Sequence, residues 1–144
     1  MKRVTHKFTG DGGERDVIRL VKCPNCSKPL TLLPVSYPLC DVQCTACHFR
    51  SQIKTSRSKP KDTVRGAGWD IMYRVLKAGY LVPPLIVNFV WDENGMKRQE
   101  IRFYPFIRKM ELHPYTAKIS RRSQLYKMFD YHLKNAQFYV LHSR

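Results

Sequence analysis

The sequence predicts a single mixed α/β domain with a four-cysteine metal knuckle set into its first third. Three observations carry that prediction: two Cys-x-x-Cys pairs, one run of helical periodicity, and several short apolar runs of strand type. Residues 1–16 are polar and contain Gly-Asp-Gly-Gly, which reads as a flexible N-terminal segment. The domain proper is expected over 17–144. Val17–Val21 is a short apolar run, read as a first strand, that leads into Cys23. Phe49–Thr55 reads as a strand, and Arg50–Arg65 then carries six basic residues and one acid in an exposed basic loop. Between Gly66 and Gly79, Trp69, Met72, Tyr73 and Leu76 recur at helical spacing, and a glycine follows the last turn. The apolar, β-branched run Pro84–Trp91 reads as a buried strand. Asp92–Gly95 is a turn signal, and Ile101 and Phe103 alternate beyond it with Arg102 and Tyr104, which predicts a hairpin. Leu125, Met128, Phe129 and Leu133 share one face of a helix expected over Ser120–Lys134, and Ala136–Leu141 closes the chain as a last strand.

Composition narrows the function classes. The chain has 144 residues, a length that suits one domain with a real core. It carries 26 Lys and Arg against 11 Asp and Glu, a formal charge of +15. Such an excess repels itself in the compact state and attracts polyanions, of which nucleic acid is the commonest. No apolar run approaches the roughly 20 residues of a membrane span, and the N-terminus lacks the apolar stretch of a secretory signal. A cytoplasmic, reducing setting is therefore expected, with no membrane partner. In such a setting cysteine pairs favour metal over disulfide.

Cys23, Cys26, Cys44 and Cys47 form the two pairs, with 17 residues between them. Two residues between thiolates let one tight knuckle aim both sulfurs at a tetrahedral zinc, and the gap between pairs fits such sites. Four soft ligands close the shell, so the Zn²⁺ is expected to be structural. Cys40 is left over, and as a small apolar side chain it suits burial.

A second constellation is interleaved with the first. Asp41 stands three residues before Cys44, and Gln52 and Lys54 follow the second knuckle on a strand whose alternation points both to one face. An acid, an oxygen donor and a lysine on neighbouring strands are the parts of a metal-dependent phosphodiesterase site. Asp41 equally suits a turn cap, and Lys54 a solvated lysine.

The nested spacing of Asp41, Cys44, Cys47, Gln52 and Lys54 resembles the catalytic domain of the DpnI-like restriction endonucleases, members of the PD-(D/E)XK nuclease superfamily. The likeness is strong over residues 23–54 and fainter through 17–142. It implies a restriction-endonuclease-like mixed sheet flanked by helices, Asp41 as a ligand of catalytic Mg²⁺ or Mn²⁺, and Lys54 as the catalytic lysine. It also implies double-stranded DNA, adenine-methylated in the resembling enzymes, as the substrate. One departure matters: the family's second acid is Gln52 here, a neutral donor that binds a hard cation more weakly than a carboxylate does. Either the site is retired and the fold binds nucleic acid without cutting, or another carboxylate supplies the charge. Asp70, in the helix after the catalytic strand, is the first candidate for that carboxylate, and Glu14 and Asp16 are others.

The basic residues Arg57, Lys59, Lys61 and Arg65 suit a loop that tracks phosphates, with Arg121, Arg122 and Lys127 on a second wall. Tyr115 is a candidate for stacking on a base, whereas Trp69 fits the helix core. The functional expectation is a Mg²⁺- or Mn²⁺-dependent DNA endonuclease. Cutting both strands with one small site would call for a homodimer. A non-catalytic zinc-containing DNA- or RNA-binding module is the alternative, followed by a basic subunit of a nucleoprotein particle.

Overall fold

The computed structural model describes residues 12–119 and 124–144, and its chain is a mixed α/β fold with two helices. Helix α1 covers residues 12–20. Three antiparallel strands follow as β1 (Leu30–Leu32), β2 (Val42–Cys44) and β3 (Arg50–Ser56). After β4 (Thr63–Gly68) comes α2 (Trp69–Lys77), which returns the chain to β5 (Leu85–Glu93), parallel to β3. The hairpin partner β6 (Met96–Tyr104), then β7 (Leu112–Ile119), β8 (Gln124–His132) and β9 (Tyr139–Ser143) complete it. Two sheets result, a six-stranded one ordered β1-β2-β3-β5-β6-β9 and a three-stranded one ordered β4-β8-β7.

The six-stranded sheet is covered on both faces over β5, which explains that strand's nearly continuous apolar run. Ile86 packs with Val17, Val21, Ile53 and Ile101 on the α1 side. Val87 and Phe89 pack with Met72, Phe129 and Tyr131, between α2 and the smaller sheet. Asn94 and Gly95 both take positive φ (51° and 76°), the conformation a two-residue hairpin turn needs to match strand twist. Gly79, at φ 89°, ends α2 where the sequence placed a glycine stop.

Four expectations are corrected. The stretch 12–16 is helical instead of flexible, and Val17–Val21 packs from α1 and the chain just after it instead of from a strand. Residues 124–132 form strand β8, not a helix; residues 120–123 of that expectation lie outside the described residues. Phe129 and Tyr131 on β8 and Leu133 just after it are buried at alternate positions, so period two wins over the helical reading. The basic stretch after β3 gains its own strand at Thr63, whose Gly66 lies against Phe129. Among the described residues, no helix is long and apolar enough to cross a membrane.

Candidate metal centre and acidic cleft

The two knuckles converge at the end of the small meander. The Sγ atoms of Cys23, Cys26, Cys44 and Cys47 all lie within 4.8 Å of one another. The Cys23–Cys47 and Cys26–Cys44 sulfurs are 3.7 and 3.4 Å apart, against about 3.8 Å for the edge of a tetrahedron with zinc–sulfur bonds of about 2.3 Å. The knuckles are built alike: the Asn25 amide donates to Cys23 Sγ at 3.4 Å, and the Ala46 amide to Cys44 Sγ at 3.3 Å. The Asn25 side-chain amide donates to Cys47 Sγ at 3.6 Å. Amides aimed at sulfur stabilise thiolates, so the four residues fit a metal ion such as zinc. No cysteine among the described residues is in a disulfide. Cys40 stands apart from the cluster, half-buried beside Asp41.

The same meander positions the second constellation. Asp41 immediately precedes β2, and its Oδ2 accepts a hydrogen bond from the Ile53 amide at 2.7 Å, which brings the carboxylate to β3 between Gln52 and Lys54. Burial pushes the Asp41 carboxyl above its ordinary range, opposed by the Ile53 amide and by the charge of Lys54. Burial likewise pushes the Lys54 ammonium down, opposed by the charges of Asp41 and then Glu14. Glu14 comes from α1, and with Asp41 and the cation Arg15 it lines a cleft of about 160 Å³ closed by Leu32, Leu33 and Pro34. Asp41 and Lys54, both with charges disfavoured by burial, therefore share one neighbourhood with Glu14, a pattern that favours metal binding and proton chemistry.

Gln52 lies beside this group with its carbonyl engaged. It is buried, and its Oε1 accepts a hydrogen bond from the hydroxyl of Tyr131 on β8. Tyr131 is itself fully buried, and burial, with the nearby charge of Asp41 second, holds its hydroxyl protonated. Tyr131 was not legible as a site residue, because the stretch read as a helix. Asp70 is exposed in the first turn of α2, and the acids whose charges bear on Lys54 are Asp41 and Glu14. Asp16 points elsewhere, toward Arg19 and Gln99.

The basic residues spread over several elements. Arg57, Lys61, Arg65 and Lys127 are exposed; Lys59 pairs with Glu93 at 3.2 Å, and Arg65 lies opposite Asp130 in the β4–β8 register. Arg121 and Arg122 lie outside the described residues. Tyr115 is partly exposed on β7, and Trp69 packs edge-on against Phe129 at 5.9 Å, as a core residue does. No protein-family model matches the chain, and no curated protein matches it either.

Proposed function

We propose that this protein is a metal-dependent DNA endonuclease on a restriction-endonuclease-like fold, with a structural zinc in its cysteine cluster. The observation that carries the reading is that Asp41, just before β2, and Glu14 of α1 line one cleft and that the charges of both bear on Lys54 of β3. The order of elements supports it. A helix precedes the meander, the third strand bears Lys54, and a second helix leads to a parallel neighbour, in keeping with the mixed sheet flanked by helices that the resemblance implies.

In this reading Asp41 and Glu14 hold Mg²⁺ or Mn²⁺, and the carboxylate absent at Gln52 is supplied from α1. Hard cations prefer such oxygen ligands, and the ion when bound neutralises charge developing on the scissile phosphate. Lys54, half-buried and depressed in basicity, orients the attacking water and shares its proton. Gln52 contributes position rather than charge, its amide fixed by Tyr131. The surplus of 26 basic over 11 acidic residues draws the duplex in, with an affinity that falls as salt rises. Double-strand cleavage by one such site per chain calls for two copies acting together. Adenine methylation as the mark is carried by the resemblance alone.

Calorimetric titration with Mn²⁺ and a plasmid-nicking assay test the assignment together. Asp41→Ala and Glu14→Gln are expected to weaken Mn²⁺ binding and remove cleavage while leaving the fold and DNA binding in place. Cleavage that survives both changes contradicts the reading. The engagement of Gln52 by Tyr131 favours a second reading, a zinc-containing DNA- or RNA-binding module whose site no longer cuts. That reading predicts salt-sensitive binding and no turnover with any divalent ion.

A further inference from the structure

The loop between β1 and β2 walls one side of the acidic cleft, and its tip stands clear of the protein. The loop closes on Asp41 itself, where the Leu33 amide donates to the Asp41 carbonyl at 2.7 Å. Pro34 and Val35 line the cleft together with Asp41, Glu14 and Arg15. Residues 34–38 are nevertheless all exposed, Val35 at 93%. A side chain that lines a cleft and is open to water meets whatever enters that cleft. Residues 29–40 hold no charged side chain, in a chain that is 26% charged. The tip therefore brings no cation to a phosphate, and what it offers is chiefly apolar surface.

The tip is also held in one shape. Proline fixes φ at 34 and again at 38. The Tyr37 amide donates to the Pro34 carbonyl at 2.9 Å, and the Cys40 amide to the Pro38 carbonyl at 2.8 Å, so both halves turn tightly. Arg50 of β3 donates to the Tyr37 hydroxyl, with its guanidinium 5.3 Å from the ring centroid. Leu39 takes φ 61°, uncommon for a bulky side chain, and packs against the cluster of Phe129 and Tyr131. Leu32, before the loop, packs against the cluster of Val17 and Ile53. Anchored on both sides, the tip has little conformational freedom left to lose when a ligand arrives.

We propose that this tip is an apolar wedge that enters a DNA duplex beside the phosphate at the acidic cleft and parts one base step. The largest apolar surfaces of a nucleic acid are its base faces, and a duplex exposes them only where a step is unstacked. Val35 is the wedge, and Tyr37, tied to Arg50, backs it. The inference rests on the nucleic-acid reading of the cleft but not on cleavage.

The probe is a short duplex carrying 2-aminopurine, whose fluorescence rises on unstacking, at successive positions and bound without added Mg²⁺ or Mn²⁺. Wild type is compared with Val35→Ser and Val35→Lys, both of which leave the core untouched because Val35 is exposed. Wild type is expected to raise the fluorescence severalfold at one step of the duplex, and each variant to lose at least half of that rise. Val35→Ser should also weaken binding about tenfold, the scale of one buried valine. Its slope of log K against log salt should be unchanged, since no phosphate contact is lost. A wild-type complex with no rise at any position would overturn the wedge. So would tighter binding by Val35→Lys with a slope steeper by about one, which would lay the loop along the phosphate backbone. A dimer in sedimentation that Val35→Ser dissociates, with no rise in wild type, would give the tip to a second copy and likewise overturn it. Absence of any duplex binding would overturn the nucleic-acid reading and the wedge together. A rise that depends on Val35 in a protein that cuts nothing keeps the wedge and defeats the nuclease assignment.

Discussion

At the scale of single residues, the account turns on how Asp41, Lys54 and Gln52 are held. Lys54 has its basicity lowered by burial despite the acids nearby. In the interval between its depressed value and the ordinary 10.5 of the unfolded chain, the unfolded state binds more protons than the folded one. Stability contributed through Lys54 therefore rises with pH across that interval. Chemical denaturation of the wild-type chain and Lys54→Met at a series of alkaline pH values should show their stability difference moving in favour of wild type. A difference that is flat with pH would mean Lys54 is solvated in the folded protein. Gln52→Glu restores a carboxylate where the resembling family has one, and the Tyr131 hydroxyl remains a compatible donor to it. It should tighten Mn²⁺ binding by about tenfold or more, the scale of one added charge at a partly buried site. At this scale the grouping was legible: the spacing from Asp41 to Lys54 marks residues that the structure brings together, because they are local to one meander. Tyr131 was not, and Glu14 stood only as one candidate behind Asp70, since both reach this neighbourhood through tertiary packing from distant segments.

At the scale of elements, the metal cluster and the β4–β8 contact hold the cleft in place. Cys23 and Cys44 belong to the same apolar cluster as Val17, Val42 and Ile53, so the knuckles pin α1 and the meander to one another. Metal bound at such a site contributes on the order of 10 kcal/mol to folding. Chelation, or Cys47→Ser, should therefore abolish cooperative unfolding of the meander and release one metal per chain, which absorbance of a chromogenic chelator together with circular dichroism can follow. At Gly66 an added Cβ would lie 2.5 Å from a ring carbon of Phe129 and 2.6 Å from that residue's carbonyl oxygen. Backbone cannot yield as a side chain tip can, so Gly66→Ala should cost about 2–3 kcal/mol in urea denaturation, near the upper range for overpacking. The hairpin β5–β6 and helix α2 were readable because Asn94-Gly95 and the Trp69–Leu76 spacing are strong local signals. Strand β8 was misread because Leu125, Met128, Phe129 and Leu133 also satisfy a helical stripe, and only pairing with β4 and β7 decides between the two. Helix α1 was missed because Gly12 and Gly13 argue against a helix, yet Gly13 is where α1 presses closest on Thr55.

At the scale of the whole molecule, a basic surface is set around a small, partly buried acidic cleft. The formal charge of +15 supplies attraction for a polyanion, while Asp41 and Glu14, with Arg15 in the same wall, bring two carboxylates to one cleft, where the proposed cation would bind. A binding module has use for the surface but none for partly buried acids beside a lysine. Lys54 and its acids are therefore proposed to cut DNA, and cleavage of supercoiled plasmid is the direct test. Adenine-methylated and unmethylated plasmid should each be incubated with Mg²⁺ or Mn²⁺ and either wild-type protein or Lys54→Ala. Wild type should cut, Lys54→Ala should bind the same DNA without cutting, and the methylated plasmid should be the preferred substrate. Equal cleavage by both proteins, or binding of both plasmids by wild type with no cleavage under either metal, would contradict it.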